Sequence, residues 1–453
     1  MQKVILLTLA TTTVLFSAAS VMSAETAAKT DAKATKVVTT SKVAKVDDKA
    51  SKTATPAPAA AQQPAPVADS LSQALMGGKP IFDARYRFEF VDQDGLANEA
   101  NAHTVRTRLG YETMKFHDVT ALVEVENISD IGGERYNDTI NGKTTYATVG
   151  DIEGTDLNRA YIAYSGIPQT NVILGRQNIT LDNQRWVGAV GWRQNDQTFD
   201  AITVNNTSLP NTSLFYAHSN QVNKTLGYRS PAGIWDDANI NLMNAAYTGF
   251  PIGKITAYSY LVDTPDSLSS STETFGGRFE GKQPVSDVVS VLYALEYARQ
   301  SDYAGNTGNF DLDYFSVEPG ISIGQWSVKA QYESIEGNGT NAVQFPLATL
   351  HAFNGWADKL TTTPANGLID ANVGVVYVAK SDNAYLNGTK TQVFYHDYSP
   401  EHGSGADYGT EWDASVEQVI KGKYTVGIKY ANYHADSFAT DTVKIMPYIQ
   451  YKF

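Results

Sequence analysis

The sequence predicts an all-β protein, a transmembrane antiparallel β-barrel of about eighteen strands preceded by a disordered N-terminal periplasmic segment. Apolar and polar residues alternate with a period of two from residue 81 to residue 453. The joins between candidate strands are alternately short and long, as expected when one rim carries tight turns and the other carries external loops. No apolar run long enough for a spanning helix follows the first 24 residues. The even strand number predicts that both chain ends lie at one rim, the periplasmic one.

Three segments precede the predicted barrel. Residues 1–24 begin with a basic Met-Gln-Lys and continue with an apolar stretch, which is typical of a secretory signal peptide. Residues 25–66 are rich in Ala, Lys, Thr and Pro and contain no aromatic residue, which predicts a disordered linker. In residues 67–80, Ser70 or Asp69 can cap one or two helical turns that Gly77 ends, which predicts a short periplasmic helix or turn.

The first and last predicted strands show the alternation most clearly. In residues 82–90, aromatic and small residues occupy the even positions and charged residues the odd ones. From Val443 to Phe453, one strand face is apolar and aromatic while the other carries lysines and a glutamine. One face suits lipid and the other suits water. We therefore expect outer-membrane lipid around the barrel, and recognition of the strand that ends in Phe453 by the barrel-assembly machinery.

Candidate strands follow one another along the whole of this region. The longest joins are 129–155, 177–194 and 331–364, whereas 114–118, 166–170 and 249–253 are short. All joins that we assign to the periplasmic rim are short. The predicted strands start near residues 81, 104, 118, 157, 171, 198, 212, 240, 254, 272, 287, 310, 323, 369, 388, 410, 423 and 442.

The composition argues against several other classes of protein. The 453 residues contain no cysteine, so neither disulfides nor thiolate metal sites contribute. Residues 1–66 hold eight Lys and four acidic residues, so the rest of the chain carries a net charge of −17 against −13 for the whole. This acidic body argues against a nucleic-acid partner. No metal-ligand spacing and no Gly-rich nucleotide motif appears in the sequence, so no cofactor and no metal are expected.

Nine of the twelve arginines lie between residues 85 and 193. Six of them lie within a run of five consecutive predicted strands and predict a basic patch that faces the lumen, where guanidinium groups attract and bind carboxylates. Opposed rows of Arg and carboxylate would give a transverse field across the pore. The alternative is that the arginines pair with interior acids and only hold the wall in shape. The predicted channel-lining residues are Arg85, Arg87, Arg106, Arg108, Arg159, Arg176, Glu124, Glu126, Glu411 and Asp413.

Two long loops supply candidates for a constriction. The first is expected to fold inward, with its indole rings as stacking faces for sugars. For the second, the longest, narrowing or capping the mouth is favoured over binding one particular sugar. No nucleophile-and-base arrangement can be assigned, so no catalytic residue and no enzyme activity are expected. The constriction candidates are Arg185, Trp186, Trp192 and Arg193 in the first loop, and His351 and Trp356 in the second.

Several distinctive stretches are spread over residues 81–453. They are Arg85 to Glu89, Gly175-Arg176-Gln177 followed by Asn183 to Gly188 and Trp192-Arg193-Gln194, Pro346 to Lys359, Asp407 to Asp413, and the closing Tyr451-Lys452-Phe453. Together they resemble the alginate-export family of Gram-negative outer-membrane porins. The resemblance implies a large barrel and, for the exporters of that family, a basic constriction that passes a polyuronate.

The expected function is that of an outer-membrane porin, with passive passage of hydrophilic, anionic small solutes or oligosaccharides through an Arg-lined lumen. The alternative within the same fold is dedicated export of an alginate-like polysaccharide, which requires a long periplasmic gate. The short predicted turns do not provide one, unless the linker before Asp69 serves as the plug. An energised receptor needs a plug domain of on the order of a hundred residues, and only residues 67–80 are free for one. A structural barrel or adhesin without transport is the remaining alternative.

Overall fold

The computed structural model describes residues 67–403 and 405–453. The predicted signal peptide, 1–24, and the predicted linker, 25–66, lie outside the described residues. Within the described part of the chain, no helix has both the length and the apolar character needed to cross a membrane.

Eighteen strands form one closed antiparallel barrel. Each strand pairs with its neighbours along the chain, and β18 pairs with β1 to close the wall. This confirms the predicted fold class and strand number. The strands are β1 (Lys79–Gln93), β2 (Ala100–Glu112), β3 (Val119–Asp130), β4 (Gly154–Tyr164), β5 (Thr170–Gln177), β6 (Thr198–Asn206), β7 (Thr212–Asn223), β8 (Asn239–Phe250), β9 (Gly253–Asp263), β10 (Thr272–Pro284), β11 (Val289–Asp302), β12 (Asp311–Ile323), β13 (Trp326–Ile335), β14 (Leu368–Val378), β15 (Lys390–Ser399), β16 (Gly409–Ile420), β17 (Tyr424–Ala435) and β18 (Thr442–Lys452).

The alternating pattern located the strands closely. Every predicted start lies within about four residues of the observed one, as expected for boundaries read from periodicity. The largest difference is in β2, which begins at Ala100. The small residues Ala100 and Ala102 carry no strong apolar signal, but pairing with Val91 and Glu89 of β1 extends the strand over them.

A single short α-helix, α1 (Leu71–Met76), precedes the barrel in the described chain, within the segment for which a helix or turn was predicted. The Ser70 hydroxyl accepts a hydrogen bond from the backbone N–H of Gln73 at 3.2 Å and caps the helix. The N–H of Gly77 bonds back to the carbonyl of Gln73 and ends it.

The two rims differ in the length of their connections. The start of β1 and the end of β18 share one rim, and the connections there are short turns apart from residues 379–389. That connection is longer than predicted and is folded on itself by backbone turns such as the one from Leu386 to Asn383. The other rim carries the long connections 131–153, 178–197 and 336–367.

Side chains of each strand alternate between the lumen and the outer surface. In β1 the charged residues at positions 83, 85, 87 and 89 are buried inside, and the aromatic residues between them face outward. Large apolar side chains such as Leu295 and Val373 are exposed on the outside of the wall. The apolar core lies within the barrel, where residues of the long loops, including Trp186 and Leu347, pack against the inner wall.

The outer surface predicts where a charge is tolerated. Val373 is at the middle of β14 and faces outward, so Val373→Arg is expected to lower the free energy of unfolding by about 2–4 kcal/mol. Asn372→Arg on the luminal face of the same strand is the matched control, because Asp370 and Gln331 lie beside Asn372. Urea titration in lipid vesicles measures both values. Equal losses for the two variants would contradict the assignment of the faces.

Candidate functional site

Two long loops fold into the barrel and narrow the lumen. They are residues 178–197, which we call loop A, and residues 336–367, which we call loop B. The loops pair through their backbones: Gly188 N–H donates to the carbonyl of Leu347 at 2.9 Å, and the Gln197 amide donates to the carbonyls of both residues at 2.9 and 2.8 Å. The two loops therefore form one connected constriction.

Arg85 on the inner face of β1 holds loop A. Its guanidinium donates to the carbonyls of Gly191 at 2.8 Å, Trp192 at 3.0 Å and Arg193, while its Nε donates to Gln194 Oε1 at 3.0 Å. Unlike the other five predicted strand arginines, Arg85 has no carboxylate within 4 Å among the described residues. Loop carbonyl oxygens rather than a carboxylate therefore satisfy its N–H donors.

The other predicted strand arginines are ion-paired. Arg106 bonds Asp83 at 2.9 Å, and Arg159 bonds Glu124 at 2.7 Å. These contacts match the alternative in which arginines and interior acids hold the wall together. The remaining pairs are Arg87 with Asp151 and Glu89, Arg108 with Glu126 and with Asp196 at 2.8 Å, and Arg176 with Asp200 at 2.6 Å.

The predicted acids Glu411 and Asp413 on β16 make no arginine pair in the described chain. They accept hydrogen bonds from the backbone of loop B instead: Ala357 N–H to Glu411 at 2.6 Å and Trp356 N–H to Asp413 at 3.0 Å. The preceding Gly355 has a φ of +84°, and a Cβ there would lie 2.3 Å from Glu411 Oε2, so this position requires glycine. These two acids, which were expected to face the arginines across the pore, therefore hold loop B in place.

Asp358 of loop B joins the two loops to the wall. Its carboxylate accepts from Lys444 Nζ on β18 at 2.7 Å, from Arg193 of loop A at 3.0 Å and from His351 at 2.8 Å. Although burial opposes ionisation, the charge of Lys444, the hydrogen bond from His351 and the charge of Arg193 hold the pKa of Asp358 well below its ordinary value. Arg193 also pairs with Glu89 on β1 at 3.2 Å, so this residue of loop A is bound both to loop B and to the barrel wall.

Arg185 and Trp186 of loop A are bound to the inner face of the barrel wall. Arg185 bonds Glu333 on β13 at 2.8 Å and Asn354 of loop B at 2.9 Å, and its guanidinium lies 3.6 Å from the centroid of the Phe345 ring. The Trp186 indole is buried and donates to Glu296 Oε1 at 2.9 Å. Both of these constriction candidates therefore pack against the inner wall and hold the loops in place.

Two indole rings and an imidazole surround Lys429 on β17. Its Nζ lies 4.1 Å from the centroid of Trp192, 4.6 Å from that of Trp356 and 3.1 Å from His351 Nε2, with no carboxylate within 4 Å in the described chain. Trp192 and His351 stack at 4.8 Å with nearly parallel planes. Burial lowers the pKa of His351 to about 3, so this imidazole is neutral at physiological pH and adds no compensating or competing charge.

The sequence analysis missed several luminal cations, among them Lys429, Lys444 and Arg278. Lys429 and Lys444 lie outside the arginine-rich stretch, and only closure of the barrel brings β17 and β18 beside β1. Arg278 on β10 bonds Glu296 and Glu318, each at 2.8 Å. The polar face of the last strand carried a signal for Lys444, whereas Lys429 and Arg278 stand out only once their neighbours are known.

Comparisons with known proteins point to one family and one fold. The model of the alginate export family matches residues 81–334, more than half of the chain. No curated protein matches. Among solved structures, OccAB4 of Acinetobacter baumannii superposes with a TM-score of 0.66 at 13% identity, and the match covers 83% of this chain and 98% of that one. OccK5 (OpdH) of Pseudomonas aeruginosa has a TM-score of 0.64 at 11% identity, with 83% and 98% covered. OpdK with vanillate, also from Pseudomonas aeruginosa, has 0.62 at 14%, with 83% and 98% covered. At these identities the likeness shows the fold alone.

The junction at Asp358 gives a prediction for stability. Asp358→Asn leaves Lys444 and Arg193 without one of their two anions in a buried site, which costs on the order of 3 kcal/mol. We expect a lower free energy of unfolding and a wider, noisier pore, measured by urea titration and single-channel recording. Asp311→Asn removes an exposed pair with Arg299 and is the control, with an expected loss of less than about 1 kcal/mol. Unchanged stability and conductance in Asp358→Asn would show that the junction does not hold the loops.

Proposed function

We propose a function from the premise that this chain belongs to the alginate export family and is a porin-like β-barrel of the bacterial outer membrane. In this proposal the barrel is a passive channel for hydrophilic, anionic small solutes or oligosaccharides. Both chain ends lie on the periplasmic side, and the rim from which loops A and B arise faces outward. The constriction that the two loops form is the part of the channel that selects among solutes.

The observation that carries the proposal is a pair of cations beside Trp192, Arg85 and Lys429, that have no carboxylate within 4 Å in the described chain. Arg85 bonds the backbone carbonyl of Trp192 at 3.0 Å, and the Nζ of Lys429 lies 4.1 Å from the centroid of its ring. In this proposal the two charges set a positive local potential at the constriction. A positive potential in a narrow, low-dielectric opening raises the local concentration of anions.

The chemistry of related proteins is consistent with an anionic cargo. The family is described by the export of alginate, which is a polyuronate, and one structural neighbour was crystallised with vanillate, an aromatic carboxylate. Both compounds carry carboxylates on a ring. Lys429, which has no carboxylate within 4 Å in the described chain, suits that class of molecule because an ammonium group binds a carboxylate.

Dedicated export of an anionic polysaccharide is the second candidate, and family membership favours it. Among the described residues, the rim that carries the start of β1 offers only 379–389 as a longer connection, and this connection is folded on itself by backbone turns. In the described chain, the narrowing elements instead arise from the opposite rim. The two functions differ in planar bilayers: an uptake porin conducts as isolated, whereas a gated exporter stays closed until a gating segment is removed.

Ion selectivity tests the role of Arg85. Arg85→Gln removes the charge and is expected to shift the reversal potential in a salt gradient toward cation preference, while Arg85→Lys keeps the charge and retains most of the anion preference. Both variants lose the fork of hydrogen bonds to loop A, so a loosened loop affects them alike and the difference between them reports charge.

Arg299→Gln supplies the matched control for that experiment, because it removes the same charge from the exposed outer surface and leaves the lumen unchanged. We expect its reversal potential to equal that of the unmodified channel. The proposal fails if Arg85→Gln and Arg85→Lys give the same selectivity as the unmodified protein.

A further inference from the structure

Helix α1 is attached to the outer side of the barrel wall. Tyr111 of β2 follows Leu109 on the outward strand face, and its hydroxyl donates to the carbonyl of Leu75 at 2.8 Å and accepts from Gly78 N–H at 2.7 Å. The N–H of Met114, in the turn after β2, donates to the carbonyl of Ala74 at 3.0 Å. The helix is therefore fixed at the rim of the chain ends, beside the surface that faces lipid.

The helix exposes apolar side chains although it is docked. Ala74 is buried against the rim, but Leu71 is 58% exposed, Leu75 54% and Met76 83%. Leu71 and Leu75 are four residues apart and share one side of the helix. The helix contains no charged residue, and the exposed Lys79 lies three positions after its last residue, Met76. An uncharged apolar side next to a cation is typical of segments that lie in a membrane interface.

Helix α1 lies at the same height on the barrel as a group of outward-facing aromatic side chains. Phe82 pairs with Leu109 across β1 and β2, and its ring lies 6.0 Å from those of Tyr451 and Phe453. Tyr424 lies 4.8 Å from Tyr451 and extends the group along the rim. Aromatic rings concentrate where hydrocarbon meets lipid headgroups, so this group marks the membrane boundary at that rim.

We propose that α1 is an interfacial anchor, with Leu71 and Leu75 inserted at the headgroup and acyl boundary of the leaflet next to the chain ends. The occupant of the exposed side is phospholipid, because Tyr111 places the helix on the lipid-facing side of the wall and at the level of the aromatic group. Lys79 then lies where a lipid phosphate can pair with it. This role is independent of what passes through the lumen.

Spin labelling tests the anchor directly. The chain has no cysteine, so a single cysteine reports one position in the full protein. Leu71→Cys and Leu75→Cys probe the apolar side, and Gln73→Cys is the matched control, about 200° around the same helix from Leu71. Leu109→Cys is the lipid reference and Lys421→Cys, in a turn of the same rim, is the water reference.

Each labelled protein is reconstituted in vesicles of phosphatidylethanolamine and phosphatidylglycerol, and retention of the barrel is checked by heat-modifiable migration. We expect labels at positions 71 and 75 to collide more with oxygen than with a water-soluble nickel chelate, as at Leu109, with a ratio several-fold above that at positions 73 and 421. Two results overturn the proposal. A nickel-accessible label at position 75 would place the helix in water, and a label shielded from both reagents would show that protein covers it.

Discussion

Closure of the backbone hydrogen-bond ladder between β1 and β18 is the constraint on which the rest of the structure depends. In hydrocarbon an unpaired N–H or C=O costs several kcal/mol, so a sheet can cross a membrane only as a closed barrel. The register from Asp83 opposite Lys452 to Gln93 opposite Thr442 joins the two ends of the wall. Because successive side chains point to opposite faces, this closure also assigns every residue of the wall to lipid or to the lumen.

The charged lumen serves the loops as much as any solute. A loop that enters a barrel brings backbone groups away from bulk water, and each needs a partner. Arg85 supplies donors to the carbonyls of loop A, and Glu411 and Asp413 accept from the N–H groups of loop B. The charged residues that the sequence analysis assigned to solute recognition therefore also hold the two loops in place.

Membership of the alginate export family and the porin-like fold agree on a channel, and the interior explains what distinguishes this one. Basic groups gather on β1, β2, β17 and β18, while Glu333, Asp370, Glu411 and Asp413 lie on β13, β14 and β16, with Arg185 and His396 among them. Two cations without a carboxylate within 4 Å in the described chain, Arg85 and Lys429, lie beside Trp192 of loop A.

The sequence by itself determined the barrel, its strand number and the positions of the long loops, because a period of two and alternating join lengths are local properties of the chain. It also determined that Arg85, Arg87, Arg106 and Arg108 share the polar faces of β1 and β2. Only the tertiary structure decided which acid meets which arginine, that Glu411 and Asp413 bind a loop, and that Lys429 and Lys444 join the constriction. Those contacts link residues far apart in the chain, and a strand pattern fixes the face of a side chain but not its partner across the lumen.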